Sequence, residues 1–246
     1  MTFWDHLDEL RSTLLKCVAV VVIAAAVAFC FKEPLFRVVL APSRHDFVFY
    51  QWIGAPHFQL QLINTELTEQ FMVHMRIAIY VGILAASPWI VYQFFRFIAP
   101  GLYDSELRIA HWIVGSAYCL FALGLLVSYF VVFPLTVRFL GTYQVSDDVL
   151  SMLSLNSYID TLIILSLMLG IVFELPVVSA ILARMHLVTA AMLSTFRRQA
   201  IVVILIAAAI ITPTTDALTL IIVALPIWLL YEVSIIVVKV IYPPST

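Results

Sequence analysis

The sequence predicts an all-α, polytopic membrane protein with six transmembrane helices. Three observations lead there. The chain of 246 residues is 63% hydrophobic and 11% charged, whereas soluble domains carry about 25% charged residues, and its mean hydropathy is +1.07. Apolar runs long enough to cross about 30 Å of hydrocarbon recur along the whole chain. The breaks between them hold proline, glycine or charge and leave no room for a separate soluble domain, so residues 1–246 read as one integral membrane domain.

Residues 3–14, FWDHLDELRSTL, place Phe3, Trp4, Leu7, Leu10 and Leu14 at helical spacing with acids on the other side. This pattern predicts an amphipathic segment in the membrane interface, anchored by Trp4. The first span follows at about 14–31. Its flank is acidic (Asp5, Asp8, Glu9), where a secretion signal is positively charged, so it reads as a retained helix. Residues 32–70 form the longest polar stretch, broken by Pro34, Pro42, Gly54 and Pro56; within it HFQLQLIN alternates as a short strand would.

The second span is predicted at about 71–95, interrupted at Ser87-Pro88, with His74 and Arg76 near the interface or facing protein. The third runs over about 109–133, with Pro134 after it. A loop through Asp147, Asp148 and Asn156 leads to the fourth, at about 158–182. A fifth at about 199–212 is short, about 21 Å at 1.5 Å per residue. A sixth, at about 217–240, contains Pro226.

Positive charge orients the chain. With the N-terminus inside, 8 of the 13 lysines and arginines fall on the cytoplasmic side, and three of the other five lie in the long 32–70 stretch. Basic residues in short loops mark the cytoplasmic face, so both termini and the segment 94–108 are cytoplasmic. That segment, FFRFIAPGLYDSELR, is the only polar interruption between Phe71 and Phe133. Pro100-Gly101 ends the incoming helix, and Asp104, Ser105 and Glu106 can start the next, their carboxylates answering the helix dipole. Glu106 is therefore either part of a capped turn or a binding carboxylate at the membrane surface.

Several chemistries find no support. The sequence contains no phosphate-cradling P-loop, no HExxH and no GxSxG, which argues against an enzyme and leaves no residues that ask for a cofactor. The six histidines lack metal-ligand spacing. Net charge −2 without a basic tract gives no sign of nucleic acid. Cys17, Cys30 and Cys119 sit in apolar runs and read as small core residues. One ionisable group stands apart: Glu174, in LGIVFELP within the fourth span, with Pro176 two residues on. A lone carboxylate there costs about 2 kcal/mol or more unless it faces protein, water or a partner. It is either a protonated group bonded to a neighbouring helix or a functional polar spot. Asp216 is either a helix cap or functional, and Glu232 reads as interfacial.

HLDELR, SPWIVYQFFRFIAPGLYDSELR, YFVVFPL, FELPV, TPTTD and ALPIWLLYE follow one another in this order. With six spans, the set closely resembles the TatC family, the core subunit of the twin-arginine protein translocase. The extracytoplasmic stretch matches in LAP at 40–42 and TEQF at 68–71, and Leu220 stands where the family often has glutamine. The resemblance implies a concave bundle like a cupped hand in the cytoplasmic (inner) membrane of a prokaryote. It implies a receptor for signal peptides with paired arginines, on proteins exported folded at the expense of the proton-motive force. Glu9 and Glu106 match the family's arginine-contacting carboxylates, with Arg11, Phe97, Pro100 and Tyr103 beside them in the same motifs. A carboxylate accepts the planar fork of guanidinium donors in pairs, which lysine cannot offer. Glu174 would lie on the hollow face as a polar contact for a partner, and Pro42, Tyr129, Pro134 and Asp216 are further family positions. The implied partners are small single-span proteins of the TatA and TatB types, the signal peptides, the bilayer, and further copies of the chain. The competing reading from the residues is a proton-coupled transporter of a small solute with Glu174 as the coupling site; no inverted repeat supports it.

Overall fold

The computed structural model describes residues 3–54, 60–98, 107–143, 152–212 and 216–241, and side chains within them apart from those of 3–6, 94–98 and 107–113. Eleven α-helices account for nearly all of it: α1 (Phe3–Phe29), α2 (Lys32–Val39), α3 (Val48–Trp52), α4 (Glu69–Ile98), α5 (Leu107–Val127), α6 (Phe133–Thr142), α7 (Leu155–Val172), α8 (Leu175–Arg184), α9 (Ala190–Thr195), α10 (Arg197–Ile211) and α11 (Ala217–Ile241). The strands are β1 (Leu62–Ile63) and β2 (Leu153–Ser154), two residues each, and they pair with one another. The fold is all-α, as its composition predicts. Among the described residues, five stretches are long and apolar enough to cross a membrane: Leu7–Phe29, Glu69–Gln93, Val114–Thr142, Leu155–Arg184 and Ala217–Ile241. The sixth expected span is α10, whose 15 residues reach about 22 Å.

Several local expectations change. Residues 3–14 are not a separate interfacial segment: α1 runs unbroken to Phe29, because no proline or glycine interrupts it. Ser87-Pro88 does not break α4 either. Pro88 has no N–H for the Leu84 carbonyl, and the Ser87 hydroxyl donates to that carbonyl instead, at 2.7 Å. The fourth span does break, into α7 and α8 at Phe173-Glu174, with Pro176 in the first turn of α8. Of the predicted strand in 57–64, only Leu62 and Ile63 are extended; residues 55–59 lie outside the described residues. Cys30 and Cys119 are exposed and Cys17 is partly so, all three free. In a membrane protein the outer surface is apolar too, so an apolar context does not mean burial.

The chain forms two compact units. The first holds residues 1–41, 63–119 and 154–159; the second holds 42–62, 120–153 and 160–246. In the first, α1 packs along α4. Phe29 meets Phe71 edge-on and stacks on His74 at 4.2 Å, while Ala25 lies against Gly82. Paired residue numbers thus add to between 100 and 107, so the two helices run antiparallel.

In the second unit, glycines and phenylalanines of α5 and α7 interlock. Phe173 lies over Gly124, and Phe121 over Gly170. Next along the contact the Ser128 and Ser166 hydroxyls are 3.4 Å apart and buried. Packing of this kind, with small residues admitting a close neighbour, substitutes for the hydrophobic drive that lipid cannot supply. α11 packs against α8 and α10. At one end Glu232 of α11 accepts from Arg197 at 2.8 Å, and Tyr231 donates to the Leu193 carbonyl at 2.7 Å.

Gly82 and Gly115 give opposite expectations for one chemical change. A methyl at Gly82 would come within 2.7 to 2.9 Å of Ala25, including its backbone, whereas one at Gly115 meets nothing within 4 Å. Gly82→Ala should therefore destabilise by about 1–3 kcal/mol through overpacking. Gly115→Ala should be neutral or stabilising by up to about 1 kcal/mol, since glycine is a poor helix former. Thermal unfolding of both variants in one detergent checks this; a Gly82→Ala midpoint at or above the parent's would show the α1–α4 contact to be slack.

Candidate functional site

The motif residues fall into three places. The first is the end of α1 and α4 that carries Glu9. Glu9 is half-buried and Arg11 exposed, both in the first third of α1. By the antiparallel register, Glu9 is level with residues 91–98, the last turns of α4. Phe97 lies in that last turn, with its side chain outside the described set, and Pro100, Tyr103 and Glu106 lie outside the described residues. The register thus brings HLDELR to the end of the helix that leads into the Glu106 segment.

The second place is Glu174. The break between α7 and α8 leaves it as the residue before the first turn of α8, its side chain making no capping hydrogen bond. Both carboxylate oxygens are buried without a hydrogen-bond partner among the described residues. The residue before it, Phe173, is fixed against Gly124, and Pro176 and Val177 after it are buried. The backbone is thus held on both sides of an unanswered carboxyl group. A carboxyl group can accept a hydrogen bond, or donate one when protonated.

The third place gathers Pro42, Tyr129 and Pro134. The Tyr50 hydroxyl lies 2.9 Å from the Pro42 carbonyl and 3.0 Å from the Pro134 carbonyl, so its one proton serves both. Burial pushes the Tyr50 phenol well above its usual range, and the nearby positive charge of Arg138 opposes this in part. Phe47 stacks on Phe130 at 5.7 Å and meets Tyr129 edge-on at 5.6 Å. Residues Ser128–Val132 form one π-helical turn directly before Pro134. Proline cannot supply the N–H that an α-helix needs there, and a π turn is a common way to absorb such a mismatch. Pro42, Tyr129 and Pro134 are thereby parts of one clasp that joins the start of the 42–62 segment to the third span. Asp216 is a helix cap: its Oδ1 accepts from the Thr219 amide at 2.7 Å, at the first turn of α11.

Two residues that no motif role singled out emerge from the structure. Tyr50 is one; nothing in its local sequence marks it. Glu69 is the other, only 2% exposed at the start of α4. Its Oε2 accepts from the amides of Thr65 (2.6 Å) and Glu66 (3.1 Å) and from the Thr65 hydroxyl (3.2 Å). Its Oε1 accepts from the Asn156 amide (2.9 Å) and the Ser154 hydroxyl (3.2 Å). One carboxylate thus closes the turn before α4 and caps the first turn of α7. Arg76, two turns along α4, adds a bond to Asn156 Oδ1 at 2.8 Å. Its local signs were its place in the TEQF match and an acid opening an apolar run, the latter common to helix starts.

All five groups on Glu69 are donors, so an amide cannot replace the carboxylate. Glu69→Gln should lower stability by about 1.5–3 kcal/mol, the range for hydrogen bonds to a charged group. Glu66→Gln, at an exposed side chain three residues away, should leave the unfolding midpoint near the parent's. Equal midpoints for the two variants would remove Glu69 as the fastener of these segments.

Comparison with known proteins accords with these motifs. The family model described as "TatC: Sec-independent protein translocase protein (TatC)" matches residues 5–226. Proteins named Sec-independent protein translocase protein TatC are similar throughout. That of Desulforapulum autotrophicum is 35% identical over 97% of this chain and 84% of its own length. That of Carboxydothermus hydrogenoformans is 33% identical over 99% and 95%, and that of Aquifex aeolicus 34% identical over 97% and 95%. Two crystal structures titled as the twin-arginine translocase receptor TatC, one of them in the detergent DDM, superpose with TM-scores of 0.80 and 0.81 at 34% identity. They cover 96% and 95% of this chain and 99% of their own. The all-helical membrane fold, the ordered motifs and these matches together establish that the chain belongs to the TatC family of Sec-independent protein translocase proteins.

Proposed function

We propose that the chain is the receptor subunit of a twin-arginine translocase in the inner membrane of a prokaryote. In this reading it binds signal peptides with paired arginines at its cytoplasmic face and supports export of folded proteins driven by the proton-motive force. The observation that carries the reading is the α1–α4 register, which sets Glu9 level with the last turns of α4, just before the Glu106 segment. Two carboxylates from separate segments can each take one guanidinium in a paired, planar contact. Arg11, Phe97, Pro100 and Tyr103 line the same two motifs. The solved structures titled as the translocase receptor support this role for the chain. Membership of a protein-translocase family also displaces the reading as a small-solute transporter.

The test is binding of a paired-arginine signal peptide to the purified chain. Glu9→Gln and Glu106→Gln should each weaken binding by more than about tenfold, equivalent to about 1.4 kcal/mol. Asp104→Ala should do much less. Equal losses at Asp104 and Glu106 would favour a capped turn over an arginine contact.

Glu174 is the second part of the proposal. Its unanswered carboxyl group meets a polar residue of a small single-span partner of the TatA or TatB type within the membrane. Glutamine both donates and accepts, so Glu174→Gln should retain most crosslinking to that partner and most export of a reporter, whereas Glu174→Leu should lose both. Loss of export in both variants with crosslinks intact would point to proton transfer at this residue and away from docking.

A further inference from the structure

Helix α3 has a buried face and an exposed one that is apolar apart from Gln51, whose amide donates to the Asp46 carbonyl at 2.9 Å. Phe49 and Tyr50 are buried, and Tyr50 is pinned to the carbonyls of Pro42 and Pro134. On the other side Val48 is 66% exposed and Trp52, one turn later, 84% exposed, with the exposed Ile53 next in the chain. Apolar area left in water costs about 25 cal/mol per Å², and a contiguous apolar face on a surface marks something that covers it.

The pin sets the depth of that face. Pro134 belongs to an uncharged run from Trp112 to Val137, 26 residues long, about 39 Å as a helix, more than the roughly 30 Å of hydrocarbon. Arg138 is the first charge beyond the run, one turn or about 6 Å further along than Pro134. Hydrogen-bonded to the Pro134 carbonyl, α3 therefore sits at the boundary of hydrocarbon and headgroups, not in the water above it. The open face also continues an exposed apolar wall. Leu126, Phe130 and Val131 are exposed on the same span, and Phe47, immediately before Val48, stacks on Phe130.

We propose that α3 is a foot seated in the bilayer: Val48, Trp52 and Ile53 enter the lipid of the leaflet on this side, and Tyr50 fixes their depth. The partner is phospholipid at the level of the upper acyl chains, where the amphipathic indole ring is favoured. The long segment between the first two spans is then held from two sides, by the protein through Tyr50 and by lipid through Trp52.

The chain reconstituted in phosphatidylcholine nanodiscs tests this through its tryptophan fluorescence. Quenching by lipids brominated near the top of the acyl chains is compared with quenching by aqueous iodide, for the parent and for Trp52→Phe. Trp52 is one of five tryptophans, so the variant should lose about one fifth of the total emission, all of it from the bromolipid-quenched part and none from the iodide-quenched part. If the lost component is quenched by iodide, the face is in water and the proposal fails. If neither quencher reaches it, protein covers the face, a second copy included, and the proposal fails equally. A nitroxide on Val48→Cys, with the native cysteines replaced, gives an independent reading. Its relaxation should respond more to oxygen than to a water-soluble nickel chelate, and the reverse order overturns the foot.

Discussion

Inside hydrocarbon no water completes a hydrogen bond, so each backbone amide and carbonyl and each buried polar side chain must find a partner in the chain. That constraint shapes this protein more than any single contact. Buried hydroxyls fold back onto their own helices: Thr136 onto the Val132 carbonyl, Thr212 onto Ala208 and Ser234 onto Leu230, all at 2.8–2.9 Å. Ser87 answers the carbonyl that Pro88 leaves open, so α4 passes straight through a residue that ends helices in water. Tyr50 and Glu69 do the same where helices begin and end, one hydroxyl joining two carbonyls and one carboxylate gathering five donors.

Against that background Glu174 is conspicuous. Among the described residues it is the buried carboxylate with neither oxygen paired, and the chain holds it at a helix break stiffened on both sides. The break has a plain origin in Pro176, whose ring and missing amide hydrogen prevent α7 from continuing. The same residue that interrupts the span thus leaves a polar group unanswered at the break.

Close packing follows a second rule. Leucines and valines lining these helices gain little by leaving lipid for protein, so helices associate where small residues let backbones approach. Gly82 against Ala25 serves the first unit, and Gly124 under Phe173 and Gly170 under Phe121 serve the second. The antiparallel α1–α4 contact also sets the level of Glu9 against the end of α4.

The sequence by itself determined the class, the approximate spans, the capping role open to Asp216 and the family, because apolar length, charge placement and motif order are properties of the chain in one dimension. It also showed Glu174 as an anomaly, since a carboxylate in an apolar run needs no structure to be noticed. Only the tertiary structure decided that Pro88 is absorbed while Pro176 breaks its helix. The Ser87 hydroxyl replaces the lost donor in α4, whereas α11 absorbs Pro226 with no hydroxyl in the turn before it, so residue type alone does not separate the outcomes. Only the fold, too, made Pro42, Tyr129 and Pro134 parts of one clasp around Tyr50 and turned Glu69 into a fastener for segments 85 or more residues apart. Those roles belong to meetings between distant residues, and a lone tyrosine or a first-turn glutamate carries no local trace of the partner it will meet.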